Sequence, residues 1–216
     1  MSDKTYLAID TSTAQISVAI MKGIQVLSEA AQIDALRHAE LASQLVQDCL
    51  TEADLKPEKI DVYLCGIGPG PFTGLRVGVM TAKIFAQVFD KPIYGICSHD
   101  AIAIAEDFED TFTVITDARR KEVYATEYLK NQRINTPLVV KREAILSKNL
   151  VENEYPLARN LIRQAQFALS QNQELTVSDF VLDEAANDGS KVKLPEDILL
   201  PAIPLYLRVP DAKPKP

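Results

Sequence analysis

The 216-residue chain has no tryptophan, two histidines, three cysteines and eight glycines, and several classes of function fall with those scarcities. His38 and His99 stand too far apart for the H-x-x-x-H or H-E-x-x-H spacing of a helical metal site, so a metal hydrolase has no ligand set here. Neither histidine is tied to a serine or cysteine by a recognised spacing. No G-x-S-x-G elbow occurs either, and nucleophilic catalysis is without support. Cys49, Cys65 and Cys97 are odd in number, lie within apolar segments and form no C-x-x-C pair, so they read as buried thiols of a reducing compartment. No apolar run is long enough to span a bilayer. Met1-Ser2-Asp3-Lys4 leads into a strand rather than a signal segment, so a cytoplasmic protein with no membrane partner is expected. Positive charge is also in deficit: 23 Lys and Arg face 30 Asp and Glu, for a net charge of -7 and a pI of 5.0. That balance excludes a principal nucleic-acid surface and leaves room for a local basic patch.

What is present is an ordinary globular composition, 47% hydrophobic and 25% charged, enough to fill one large domain or two small lobes. Residues 5–10 form an apolar run ending in Asp10, and 16–21 and 24–31 continue it as an antiparallel meander. Asp34 is placed to cap a helix running to about Asp54, with Leu41, Leu45, Cys49 and Ala53 on one stripe. A strand over 61–66 then leads through Gly68-Pro-Gly-Pro71 into a long helix from Phe72 to Phe89. A strand over 92–96 follows, and Ser98 is placed to cap the next helix. The order is β-β-β-α-β-α-β-α.

It then begins again. Residues 112–117 form a strand ending in Asp117, 122–128 return, and 134–140 supply a third strand. Each copy places a β-branched residue six positions after its acid (Ile16 after Asp10, Val123 after Asp117) and a small residue soon afterwards (Ala19, Ala125). We read this as a duplicated topology with little identity, in two units, 1–105 and 106–216. The second copy is reduced. After Ala144-Ile-Leu146 the chain goes almost directly to an amphipathic helix opened by Pro156, with no strand between. Residues 171–195 read as polar and irregular, Pro204–Arg208 as the closing segment, and the Pro-Lys-rich end as frayed.

Three motifs carry two readings each. Asp10 with Thr11, Ser12 and Thr13 is suited either to a metal-bound water and phosphate oxygens or to satisfying the amides of its own tight turn. Gly68–Gly74 ends on a helix N-terminus, which favours an anion. It is not a G-x-x-x-x-G-K-[ST] loop, though, and its prolines remove amide donors, which favours a structural or partner-contact role. Arg119-Arg120-Lys121 is either a solvated hairpin or a contact for nucleotide phosphate or an acidic partner.

A duplicated unit with an acid closing each first strand resembles the actin, Hsp70 and sugar-kinase fold. Within it, Tyr6-Leu-Ala-Ile-Asp-Thr-Ser-Thr13, Gly68-Pro-Gly-Pro-Phe-Thr-Gly-Leu-Arg-Val-Gly78, Thr116-Asp-Ala-Arg-Arg-Lys-Glu-Val-Tyr-Ala125 and Pro204-Leu-Tyr-Leu-Arg208 resemble the signature segments of the TsaB family, in order. The resemblance implies a cytoplasmic, non-catalytic subunit that binds its paralogue TsaD and the ATPase TsaE to threonylcarbamoylate the tRNA adenosine beside the anticodon. It implies a homodimer when alone, tRNA contact only indirectly through the complex, no tightly bound cofactor, and nucleotide at most at a shared interface. The paralogue holds its metal with a close histidine pair that nothing here replaces. This sequence departs from the family at Pro71, where a serine is common, and in lacking a strand and Gly-Asp-Gly turn between 146 and 156. The competing reading is a small ATP-dependent phosphotransferase of the same superfold, with Asp10 or Asp117 as base or metal ligand.

The long helix adds one inference from spacing alone. Gly74, Gly78, Ala82 and Ala86 recur every four residues and form a stripe of small side chains, with Thr73, Arg76, Lys83 and Gln87 nearly opposite. One reading packs the stripe on this chain's own sheet or on the 36–54 helix. The other makes it, with Leu41 and Leu45, the surface for the homodimer and TsaD.

Overall fold

Six buried residues in a row, Thr5–Asp10 (β1), mark the centre of the first sheet, because only a strand covered on both faces buries every side chain. The computed structural model describes residues 3–34, 36–130, 132–170, 200 and 202–207. β1 runs antiparallel to β2 (Gln15–Lys22), which pairs with β3 (Gln25–Ile33). On its other side β1 runs parallel to β4 (Val62–Gly66), and β4 to β5 (Ile93–Ile96), for the order β3-β2-β1-β4-β5.

The period-two alternation of β1 and β2 sends side chains to two separate cores. Leu7, Ile9, Val18 and Ile20 meet α1 (His38–Glu52) and α2 (Phe72–Val88) through Val46, Cys49, Val79 and Ala82. Tyr6, Ala8, Ala19 and Met21 meet Ala101 of α3 (Ser98–Ala103) and Leu161, Ile162 and Ala165 of α4 (Ala158–Ser170). α4 belongs to the second copy in sequence but packs on the first sheet. Ser17 Oγ accepts from Ala158 N at 2.9 Å, and Arg159 pairs with Glu29. The division at residue 105 therefore separates the sheets without separating their cores.

The second sheet repeats the first in miniature. β6 (Thr111–Asp117) is antiparallel to β7 (Glu122–Leu129) and parallel to β10 (Leu150–Val151), the same relations β1 has to β2 and β4. Two sequence expectations are corrected here. A strand does lie between 146 and 156, but β10 has only two residues, too few to leave a pattern. The third strand is broken into β8 (Gln132–Arg133) and β9 (Leu138–Lys141), both on β7, with Pro137, which has no amide to give a ladder, between them. A third small core joins Ile102 and Ala103 of α3 to Phe112, Val114, Tyr128 and Val151, so α3 is shared by both sheets.

Both expected caps are corrected as well. Asp34 Oδ1 accepts from the amides of Leu36 and Arg37 in a turn ahead of α1, whose cap residue is Arg37. Ser98 is the first residue inside α3 and its hydroxyl is used elsewhere. The closing segment returns to the first sheet, with Leu205 N donating to Ile67 O at 2.7 Å and Leu200 bridging Gly95. Residues 171–195 and the C-terminal tail, read above as irregular and frayed, lie outside the described residues.

Candidate functional site

The turn after β1 is built from side chains that bond inward. Asp10 Oδ1 accepts from Ser12 N at 2.8 Å and Ser12 Oγ at 2.7 Å, while Oδ2 accepts from Ser98 Oγ at 2.6 Å. Ser98 Oγ in turn accepts from Gly68 N at 3.1 Å, so the carboxylate ties β1, the Gly-Pro turn and α3 together. Burial pushes the Asp10 carboxyl above its ordinary range, opposed by the hydrogen bonds from Ser98 and Ser12. Thr11 is equally enclosed. Its Oγ1 donates to Gly74 O at 2.7 Å and accepts from Gly78 N at 2.9 Å, the acceptor and donor of one helical rung of α2. The turn can lie this close because residues 74 and 78 are glycine. An added Cβ at Gly78 would overlap Thr11 Oγ1, and one at Gly74 would overlap Thr11 O.

The small-residue stripe therefore faces inward. Gly74, Gly78, Ala82 and Ala86 are all buried against this chain's own turn and sheet. Leu41 is half-buried, and the partly buried Leu45 packs on the first core. The opposite face of α2 carries more than the expected polar residues: Met80, Ile84 and Val88 are 51%, 55% and 67% exposed at four-residue spacing. His38 is buried beside Ala14 and Gly74, with Nε2 3.4 Å from Ala14 O.

Between the sheets lies a cleft of about 880 Å³. Of the candidate ligand contacts, Thr13 and Arg119 line it; Asp10, Thr11 and Ser12 stand buried behind its wall, and Arg120 is exposed away from its lining. Its walls also carry Asp117, Arg142, Glu152, Tyr155 and Tyr206, of which only Asp117 was singled out by sequence. Asp117 Oδ1 accepts from Arg119 N at 2.8 Å, and Arg142 pairs with Glu152 at 3.0 Å. This lining can meet a mixed polar and aromatic surface. Among the described residues, no group of three or more His, Cys, Asp or Glu side chains is placed to hold a metal ion.

Sequence reasoning also missed a buried polar cluster where α3 meets the second sheet. Asp100 accepts from Tyr128 OH at 2.7 Å and lies 3.6 Å from the buried Arg133 guanidinium. Burial raises the Asp100 carboxyl, opposed by Arg133 and the Tyr128 hydrogen bond. His99 sits between Thr126 Oγ1 at 2.7 Å and Thr116 Oγ1 at 2.8 Å; burial and then Arg133 hold it down to about 3. The signal available was Ser98-His99-Asp100, three polar residues opening an otherwise apolar helix. Cys65 and Cys97 are buried free thiols, each pushed up to about 12 by burial, as inert core cysteines are.

Comparison with known proteins supplies the remaining observations. Residues 26–186 match the family model described as TsaD: tRNA N6-adenosine threonylcarbamoyltransferase. An uncharacterized protein of Mycobacterium tuberculosis is 36% identical over 217 residues, covering 97% of this chain and 94% of its own. The Haemophilus influenzae tRNA threonylcarbamoyladenosine biosynthesis protein TsaB is 29% identical over 203 residues, covering 86% and 83%. The structure of YeaZ from Pseudomonas aeruginosa superposes with a TM-score of 0.71 at 21% identity over 94% of this chain and 100% of that one, which establishes the shared fold. Among the described residues, no helix is long and apolar enough to cross a membrane.

Proposed function

The chain belongs to the TsaD family, in its TsaB branch, and from that premise we propose that it is a non-catalytic activating subunit for threonylcarbamoylation of the tRNA adenosine beside the anticodon. It works with a TsaD-type catalytic subunit and a TsaE-type ATPase. The observation that carries the reading is the state of Asp10. A general base or metal ligand needs a lone pair facing substrate. Here both carboxylate oxygens are engaged by Ser12 and Ser98, behind the cleft wall. Of the two acids a phosphotransferase would use, Asp10 holds its turn together instead, and Asp117, on the cleft wall, accepts from the Arg119 amide through Oδ1.

The docking face is the outer side of α2. Met80, Ile84 and Val88 form an exposed apolar line flanked by Arg76 and Gln87, the mixture of apolar centre and polar rim that protein interfaces use. A TsaD-type subunit and a second copy of this chain compete for it. Activation then requires only that the chain bind the active conformation of its partner more tightly than the inactive one.

The test is threonylcarbamoyladenosine formation in tRNA by the TsaD-type and TsaE-type proteins, with and without this chain. Modification should depend on it, and Ile84→Asp should abolish both association and stimulation while melting as wild type. Equal modification without the chain would remove the activating role. ATP turnover by the chain alone, lost in Asp10→Asn, would instead establish the phosphotransferase.

A further inference from the structure

The chain is acidic as a whole but not throughout. In the first 110 residues Asp and Glu outnumber Lys and Arg sixteen to eight; between 111 and 149 Lys and Arg outnumber Asp and Glu eight to four. Several of those cations are already engaged. Arg133 is buried beside Asp100, Lys130 pairs with Glu109 at 3.5 Å, and Arg142 with Glu152 at 3.0 Å. Four of the eight gather at one end of the second sheet. Arg119, Arg120 and Lys121 form the β6–β7 tip, and Lys141 ends β9 directly across from Glu122. All four are exposed. Among the described residues, no hydrogen bond or ion pair occupies the side chains of Arg119, Lys121 or Lys141.

The tip is also strained. Arg119, Arg120 and Lys121 take φ values of 62°, 55° and 64°, three left-handed residues in succession. Each Cβ there crowds its own carbonyl, which is why tight hairpins favour Asn and Gly at such positions. The conformation is nevertheless held firmly: Arg119 N donates to Asp117 Oδ1 at 2.8 Å, Glu122 N to Arg119 O at 2.9 Å, and Ala118 N to Glu122 O at 3.0 Å. Turn formation alone does not call for three cations in these positions, and strain retained in an ordered element points to use.

We infer that this edge, Arg119 to Lys121 with Lys141, contacts the sugar-phosphate backbone of the RNA substrate directly; the inference rests on the tRNA reading above. The tip itself, Ala118 to Glu122, offers a protein partner no large apolar side chain to bury beside the charges; on β9 the exposed Leu138 stands opposite Ala125, three residues along β7 from Glu122. Phosphates need none. Guanidinium and ammonium groups on an ordered tip supply register and attraction without reading sequence. The acidity of the remaining chain keeps the contact count low, so the edge orients RNA that is held mainly by other components.

The experiment uses the full chain and a fluorescently labelled, unmodified tRNA transcript, titrated over a range of salt concentrations. Wild type should bind with log affinity falling linearly in log salt. R119N/K121N exchanges two cations for a residue that tolerates the left-handed region. It should melt no lower than wild type while its salt slope shrinks by roughly 1.4–1.8, about 0.7–0.9 per phosphate contact removed. If the double variant melts lower, Lys141→Gln leaves the tip intact and should reduce the slope by about 0.7–0.9. Unchanged slope and affinity in the variants, or no salt-dependent binding by wild type at low salt, overturns the proposal. Polyglutamate binding more tightly than tRNA and lost in the same variant would reassign the edge to an acidic protein. A chain that is required for modification yet shows unmoved RNA affinity refutes this edge and leaves the activating role standing.

Discussion

Gly78→Ala is the sharpest test of how the first turn and α2 are joined. At an exposed position inside a helix this change raises stability by roughly 0.5–1 kcal/mol, because alanine has the better propensity. At Gly78 the new methyl overlaps Thr11 Oγ1 and comes within 3.3 Å of Thr11 Cβ and Cγ2. To make room, the hydroxyl must leave both Gly74 O and Gly78 N, bonded at 2.7 and 2.9 Å. Two buried hydrogen bonds contribute about 1 kcal/mol each, and overpacking a close contact costs a further ~1–3 kcal/mol. With the propensity gain set against these, the net loss is about 2–4 kcal/mol. Urea unfolding measures it directly: with an m value of about 2 kcal/mol/M, the midpoint should fall by roughly 1–2 M. A double-mutant cycle isolates the cause. Thr11→Ala lets Gly78 N bond Gly74 O within the helix, so Gly78→Ala in that background should be milder by at least about 1 kcal/mol. A Gly78→Ala protein as stable as wild type, or more so, refutes the account of the turn.

Two further expectations concern the buried polar cluster. His99 is neutral in the folded protein, with its pKa lowered to about 3 by burial and then Arg133, whereas the unfolded chain takes up a proton below about 6.5. Between those values the unfolded state binds more protons. The stability contribution is therefore complete above pH 6.5 and is lost as pH falls toward 3. From pH 7 to pH 5 this residue should remove roughly 2 kcal/mol, and His99→Gln should lose correspondingly less over the same interval. The raised carboxyls of Asp10 and Asp100 act in the opposite direction in both proteins, so the difference between them isolates His99; equal losses would refute its role. Asp100→Ala takes the counter-charge from beside the buried Arg133 guanidinium and the acceptor from the Tyr128 hydroxyl, and should cost about 3–5 kcal/mol. A chemical denaturation loss below about 1 kcal/mol would mean that Arg133 turns out to solvent.

The elements themselves were legible in the residues. The apolar run over 5–10, the alternation over 16–21, the Gly-Pro turn before a long helix, and the paired acids Asp10 and Asp117 are local patterns, and local patterns report element type and duplication. What they report is which residues share a face, never what that face meets. The sequence marks Gly74, Gly78, Ala82 and Ala86 as one surface and leaves open what covers it; the approach of Thr11, 63 residues before Gly74, turns it inward. Asp10 is visible as an acid at a strand end, but its setting belongs to Ser98, 88 residues on, whose hydroxyl donates to Oδ2 from within the fold. The two-residue strand β10 is held by pairing with β6 and carries too few side chains to show a period. The environment of a buried charge is likewise non-local. Asp100 and Arg133 look like ordinary surface residues until folding removes water from both, because desolvation depends on neighbours that only the tertiary structure brings together.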